Sequence, residues 1–420
     1  MAAAEAMVLM PAKWGRRAEQ SIHLSNSAAH FAIARVKSRA DNSAMPIRVL
    51  ITPDKFKGTL SAGAAAQAIA RGWRRARPGD RLDLLPTSDG GDGFGEVLGG
   101  LLGARSQTTQ AVNAAHEPCR ARWWWHAKTR TAIIESARVI GLAMLPPGKF
   151  HPFDLDTYGL GLVLRAAARR GAEHCTVGIG GSATNDGGLG MARALGWRFY
   201  DRAGRELKRW TELGTLSRAV PPPRRRLFKS LTVAVDVQNP LLGPRGATRI
   251  YGPQKGVRPQ DFSRAEGCLR QLARVLGGSG SRDFAGRPGA GAAGGLGFGL
   301  AAFQGARLTP GFALIARRGH LARRLACADL VITGEGAMDR STLMGKGVGQ
   351  VAVHCHKLGV PCVGLAGEVV RSPQLARRFA QLHALTDLTT AEEAKARAAF
   401  WLEQLAERAG VQWQVRSRGN

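Results

Sequence analysis

Tyrosine is scarce in this chain of 420 residues, occurring three times, and acidic residues are outnumbered, 31 against 60 Lys and Arg. The resulting net charge of +29 raises the question of a polyanion partner. The basic residues are spread along the chain, mostly as Arg beside Ala. With so little tyrosine there is no aromatic–basic platform on which bases could stack, so a nucleic-acid partner is not expected. The six cysteines form no C-x-x-C pair and no His–Cys metal spacing. They read as small core residues of a protein in a reducing, cytoplasmic compartment. No apolar run approaches the roughly 20 residues of a membrane span. Met1 to Met10 carries no basic region ahead of its apolar patch, which argues against a secretory signal.

What is present is ordinary globular composition, 44% apolar and 22% charged, at a length that allows two or three domains. Residues 1–44 differ in texture from the rest. They are Arg- and Ser-containing and acid-poor, with no element that finishes in a cap, and they read as a disordered leader or a start codon set too far upstream. From Pro46 a strand begins at once, Ile47-Arg-Val-Leu-Ile51.

Strands and helices then alternate. Ile47–Ile51 leads through Pro53-Asp54-Lys55-Phe56-Lys57-Gly58 to a helix over about 62–75. A second strand, Arg81–Leu85, ends in Ser88-Asp89-Gly90-Gly91-Asp92-Gly93. Such βαβ alternation predicts a mostly parallel sheet covered by helices, with ligands outside the carboxyl ends of the strands. Between about 106 and 140 the pattern changes to a hairpin, Arg120–His126 and Arg130–Glu135 around Ala127-Lys128-Thr129. Its three adjacent tryptophans read as core packing. Glu135, at the end of an apolar strand, needs a partner.

The stretch around which the chain is organised is Thr176–Gly190, TVGIGGSATNDGGLG: strand, glycine turn, helix. Glycines let a backbone approach a ligand closely, and the amides opening a helix favour an anion. Ser182, Thr184, Asn185 and Asp186 stand at that mouth. Each could be a helix cap instead, but four together predict a ligand loop. Later come Asp236-Val-Gln-Asn239 after a strand, then Tyr251-Gly-Pro-Gln-Lys255. The segment Pro288–Gly299 is so glycine-rich that it is either a ligand loop or a helix packed very close to a neighbour. A buried strand, Ala328–Thr333, ends in Gly334-Glu335-Gly336-Ala-Met-Asp339.

Six ordered blocks carry a resemblance: IRVLITPDKFKGTLSA, the DGGDG turn, GIGGSATNDGGLG, VAVDVQNPLLGPRGATRIYGPQKG, PGAGAAGGLG and LVITGEGAMD. The chain resembles the class I bacterial glycerate kinases from Pro46 to its last strands. The resemblance implies two α/β domains. One is a flavodoxin-like, mostly parallel sheet built from both ends of the chain, residues 46–105 and 290–400. The other is inserted over 106–289, and 401–420 is left as a tail. It implies transfer of the ATP γ-phosphoryl group to D-glycerate with Mg²⁺, usually yielding 2-phosphoglycerate. The chain departs from the pattern at Lys55, where many relatives have Ser, at Gly58, where they are acidic, and at Asp92, where Glu is familiar. Those departures leave a related small hydroxy acid open as acceptor, and oligomerisation of the chain with itself is open too.

The residues supply that chemistry without a Walker A loop, since Gly345-Lys346-Gly347 lacks both the upstream glycine and the following Ser or Thr. Phosphoryl transfer needs charge neutralisation, carboxylates for the metal and an oriented acceptor. Asp186 is expected as the base on the glycerate hydroxyl, with Asp54 and Lys57 in the catalytic set. Gly180, Gly181, Ser182, Thr184, Asn185, Gly187, Gly334, Glu335, Gly336 and Lys255 are expected around the phosphates. Asp236, Glu335 and Asp339 are expected on Mg²⁺. Arg245 and Arg249, with Asp89 and Asp92, are assigned to the substrate, since arginine pairs well with a carboxylate. Two other classes are weighed: a nicotinamide-dependent oxidoreductase using Gly178-x-Gly-x-x-Ala183, and a non-catalytic nucleotide-binding protein. Removal of residues 1–44 is expected to leave the melting transition and kcat intact; loss of a cooperative melt on truncation would make the leader structural.

Overall fold

The computed structural model describes residues 46–277, 283–343 and 347–418. The leader and the Gly345-Lys346 dipeptide lie outside the described residues. The chain divides into two units, one running to Pro86 and resuming at His320, the other spanning Thr87–Gly319.

The first unit holds β1 (Arg48–Ile51), β2 (Arg81–Leu84), β11 (Leu330–Met338), β12 (Cys362–Val369) and β13 (Gln381–Ala384), in the order β13-β12-β11-β1-β2. Every pairing is parallel. Counted within the unit, that order is 2-1-3-4-5, the flavodoxin-like winding, whose switch point lies between β1 and β11. Short apolar runs such as Val49-Leu50-Ile51, buried throughout, suit strands covered on both faces. The helix Ala62–Ala76 is capped by the Ser61 hydroxyl, which accepts from Ala64 N. Its alanine-rich face, with Ile69 and Trp73, is buried.

Residues 401–418 are not a tail. The helix Ala398–Arg418 carries Leu402, Leu405, Ala406 and Ala409, all buried, at helical spacing. It packs so closely on helix Ala62–Ala76 that a Cβ on Gly72 would collide with the carbonyl of Glu403.

The second unit holds a six-stranded sheet, order β10-β9-β6-β5-β4-β3. Its strands are β3 (Arg105–Val112), β4 (Pro118–His126), β5 (Thr131–Glu135), β6 (His174–Gly178), β9 (Ser230–Val235) and β10 (Arg307–Pro310). The hairpin read from the sequence is β4–β5, with Trp124 opposite Ile133. From β5 through β6 and β9 to β10 the pairing is parallel. A separate ribbon pairs β7 (Arg198–Asp201) with β8 (Leu216–Val220).

The unit boundaries fall at Thr87 and Gly319, not at 105 and 290, and packing explains the shift. Trp124 lies flat against helix Phe94–Leu102, where any Cβ on Gly95 would strike its ring, so that helix belongs with β4. The glycine-rich segment near 290 is likewise close packing and not a ligand loop. Helix Ala292–Gln304 begins with Ala293, Gly294 and Gly295 at positive φ, and a Cβ on Gly294 would collide with the carbonyl oxygen of Thr184. Gly294→Ala combines a left-handed φ of 66° with that collision. The substitution should therefore cost at least about 2 kcal/mol. A denaturant titration showing wild-type stability would overturn the close-packing assignment.

Candidate active site

In the first unit the chain leaving β1 and the far end of β11 run side by side at the switch point. Asp54 N donates to Gly334 O at 2.8 Å, and Thr333 Oγ1 donates to Thr52 O at 2.8 Å. A Cβ on Gly336 would sit 3.2 Å from Lys57 N, so Gly336 lets the two segments close up. This brings Asp54, Lys57, Gly334, Glu335 and Gly336 together, as expected of strand-end turns. Asp54 is 8% exposed, with Oδ1 accepting from Lys55 N at 2.7 Å, while Lys57 is exposed.

Thr342, which the sequence reading passed over, organises the acidic pair. Its hydroxyl donates to Glu335 Oε1 at 2.7 Å and accepts from Asp339 N at 3.2 Å, while Asp339 Oδ1 accepts from Ser341 N at 2.7 Å. The available signal was Asp-x-x-Thr, the spacing of a side-chain turn that fixes its own backbone.

The second unit departs from expectation at the central glycine turn. Ser182, Thr184, Asn185 and Asp186 are all buried, the last three completely. Asp186 Oδ2 accepts from Thr157 N (3.0 Å), Thr157 Oγ1 (2.8 Å) and Gly190 N (2.8 Å), and Oδ1 accepts from Gly188 N (3.1 Å). Met191 N donates to Thr157 Oγ1 at 2.8 Å. The amides that open helix Leu189–Ala194 are thus spent on the protein's own side chains, and Gly180 N and Gly187 N donate to Gly90 O and Gly294 O. Asp186 as a base reaching substrate does not fit this geometry, and of the expected anion cradle the Gly180, Ala183, Gly187 and Gly188 amides are already taken. The capping alternative does fit. It also removes the basis for a nicotinamide site on the same amides. Burial pushes the Asp186 carboxyl up to about 6, with Asp156 adding to the rise and the Gly190 and Thr157 hydrogen bonds opposing it.

Lys255 is buried beneath this turn, its Nζ donating to Ser182 Oγ (3.0 Å) and Thr184 O (2.7 Å). Desolvation lowers its pKa to about 7, against the pull of Asp186. Asn185 Nδ2 donates to Thr248 Oγ1 at 3.1 Å. Glu135 finds its partners in Gly93 N and Gly95 N, at 3.0 and 3.1 Å, and so caps helix Phe94–Leu102.

The Asp89–Asp92 turn crosses the carboxyl ends of β6 and β9. A Cβ on Gly180 would come 2.6 Å from Gly91 Cα, one on Gly181 would come 2.7 Å from Asp92 Oδ1, and one on Gly90 would come 3.0 Å from Ala234 O. Asp89 Oδ1 accepts from Gly91 N, and exposed Asp236 follows β9. Arg245 is exposed, its carbonyl taken by Asn239 Nδ2 at 2.8 Å. Arg249 pairs with Glu266 at 3.4 Å, on helix Phe262–Gly277, which also holds Arg270 at 2.9 Å. The Arg249 side chain is half exposed beside this carboxylate. Among the described residues no group of three His, Cys, Asp or Glu side chains could hold a metal; of the expected metal set, Glu335 and Asp339 lie in the first unit and Asp236 in the second.

A flavodoxin-wound unit with carboxylates and a lysine at its switch point, joined in one chain to a second, mostly parallel α/β unit, defines a two-unit α/β protein. The chain belongs to the glycerate kinase family, whose model matches residues 49–414, and it is a kinase of that phosphotransferase family. It is 38% identical over 329 residues to a glycerate kinase of Bacillus subtilis strain 168, covering 77% of this chain and 86% of that one. It is 35% identical over 358 residues to the glycerate 2-kinase of Escherichia coli K12, covering 83% and 93%. A crystal structure of a protein provisionally assigned as glycerate kinase 2 from Salmonella typhimurium LT2 superposes with a TM-score of 0.76 at 32% identity, covering 89% of this chain and all of that one. No helix among the described residues is long and apolar enough to cross a membrane.

The buried state of Asp186 can be read in solution. Its folded pKa, about 6, lies above the ordinary 3.8, so the native state binds this proton before the unfolded chain does. The contribution to stability is complete below pH 4 and is lost as pH rises through 4 to 6. Asp186→Asn has no such titration. The unfolding free energy of wild type minus that of the variant should drop by about 2 kcal/mol between pH 4 and 7. A flat difference would show that the carboxylate is not held as described.

Proposed function

We propose that this kinase transfers the γ-phosphoryl group of ATP to D-glycerate with Mg²⁺, giving 2-phosphoglycerate. The observation that carries the reading is the Glu335–Thr342–Asp339 constellation beside Asp54 and Lys57, at the switch point of a flavodoxin-wound sheet. The donors are carboxylate and hydroxyl oxygens, the set a hard cation takes. Mg²⁺ commonly binds through one or two carboxylates and completes its shell with substrate phosphates and water. Glu335 and Asp339 would hold it, with Thr342 fixing their orientation. Bound there with the nucleotide, the ion supplies charge neutralisation on the phosphate oxygens. Lys57 would add its ammonium to the same phosphates, and Asp54, on the neighbouring strand end, would orient the reacting groups. The 2-position of the product is supported by the name of the Escherichia coli relative. ATP as donor implies a cytoplasmic setting.

A coupled assay with ATP and D-glycerate should show turnover that disappears on chelation and returns with Mg²⁺. Activity that survives exhaustive chelation, or turnover confined to another hydroxy acid, would reject the reading. Glu335→Gln should lower kcat by at least about a hundredfold. Thr342→Val keeps the volume but removes the hydroxyl, and should raise the Mg²⁺ concentration for half-activity about tenfold or more. An unchanged Mg²⁺ requirement in Thr342→Val would show that the pair is not a metal site.

A further inference from the structure

Unspent hydrogen-bonding capacity is concentrated at one place in the second unit. Among the described residues, the buried side-chain atoms without a partner include Ser136 Oγ, Thr184 Oγ1 and Asn185 Oδ1. Ser136 follows β5, and its backbone N donates to Gly178 O at the end of β6. Thr184 and Asn185 lie in the turn that follows β6. Buried polar atoms are normally paired, so orphans at neighbouring strand ends call for an explanation.

Lys255 is set into the same turn, 7% exposed, with two neutral acceptors, Ser182 Oγ and Thr184 O. Sequestering an ammonium without a carboxylate on its hydrogens is expensive. A helix-end strut would need no charge there. The consequence for Ser182 is specific. A hydroxyl that accepts from Lys255 must aim its own hydrogen elsewhere, and among the described residues that hydrogen has no acceptor. Ser182 follows Gly181, which is exposed, and Gly181 abuts the Asp92 turn. We propose that Lys255 is a positioning residue that turns Ser182 into a hydrogen-bond donor for an anionic substrate oxygen, either the glycerate carboxylate or a phosphate of the nucleotide. The inference rests on the kinase reading and adds to it the residue that reads the anion in the second unit. Lys255 itself, expected at the phosphates, acts through Ser182 instead.

The test compares wild type with Ser182→Ala, Ser182→Thr, Lys255→Met and the Ser182→Ala/Lys255→Met double variant. KM and kcat are measured for each substrate, and Kd for ATP and for D-glycerate by calorimetry. A hydrogen bond to a charged oxygen is worth roughly tenfold or more in affinity. Ser182→Ala should raise KM and Kd for one substrate by about that factor and leave the other unchanged, and the affected substrate identifies the oxygen. Lys255→Met should do the same, the double variant should be no worse than the weaker-binding single one, and Ser182→Thr should recover wild-type affinity. Unchanged affinities in Ser182→Ala, or effects that multiply in the double variant, overturn the inference. If Lys255→Met does not fold, Ser182→Ala and Ser182→Thr decide alone. A wild type that binds ATP but does not phosphorylate glycerate rejects the kinase reading. A fall in ATP affinity on Ser182→Ala would in that case still uphold the Ser182 contact.

Discussion

Sealed from water, the Asp186 carboxylate is the point on which the second unit turns. Its two oxygens collect the start of helix Leu189–Ala194 and, through Thr157, the start of helix Tyr158–Arg169. Four donors make a buried anion tolerable. Any one of them lost would leave part of that charge unsolvated, a penalty larger than the net worth of a single hydrogen bond. The same demand fixes the glycines around it. Gly187 and Gly188 adopt positive φ so that their amides can reach Gly294 O and Asp186, and helix Ala292–Gln304 must come in bare of side chains at Gly294 to close over the turn. Rigidity of this kind is what a binding surface built on strand ends needs from the layer beneath it.

The first unit has the same kind of strand-end turn. Its backbone is tied by Asp54 N to Gly334 O and by Thr333 to Thr52, while Glu335 and Asp339 are half-buried and Lys57 is exposed. Backbone amides and a threonine hydroxyl are among the groups that hold these carboxylates. Amide and hydroxyl donors fix the direction in which a carboxylate presents its oxygens.

Much of this was legible in the sequence, and what was missed has one physical origin. The alternation of strands and helices and the β4–β5 hairpin follow from periodicity and turn chemistry, which are local, while the discontinuous flavodoxin-like unit comes from the family resemblance. The fate of the glycine turn is not local. Ser182, Thr184, Asn185 and Asp186 look identical in sequence whether they face a ligand or a helix start, and Thr157, 29 residues upstream of Asp186, decides it. The C-terminal helix was hidden for a similar reason. Its apolar stripe is short and alanine-based, and it makes sense only against the equally alanine-rich face of helix Ala62–Ala76. The pairing of Arg249 with Glu266 is likewise not announced by anything local.

The excess of positive charge acquires a structural meaning through the aromatic rings. Tyr200 is flanked by the guanidinia of Arg198 and Arg218, at 5.3 and 4.9 Å from its centroid, and Arg193 lies 5.9 Å from Tyr158. Tyr251 gives its hydroxyl to Asn239 at 2.6 Å. Arg122 and Arg138 lie over Trp124, and Arg225 over Trp197. Rings covered by the chain's own arginines are not open to stack on bases, which is the contact that single-stranded nucleic acid needs beyond simple charge. The arginines gain packing from the same contacts. A basic surface attracts anions as charges, and that is compatible with small carboxylated and phosphorylated substrates.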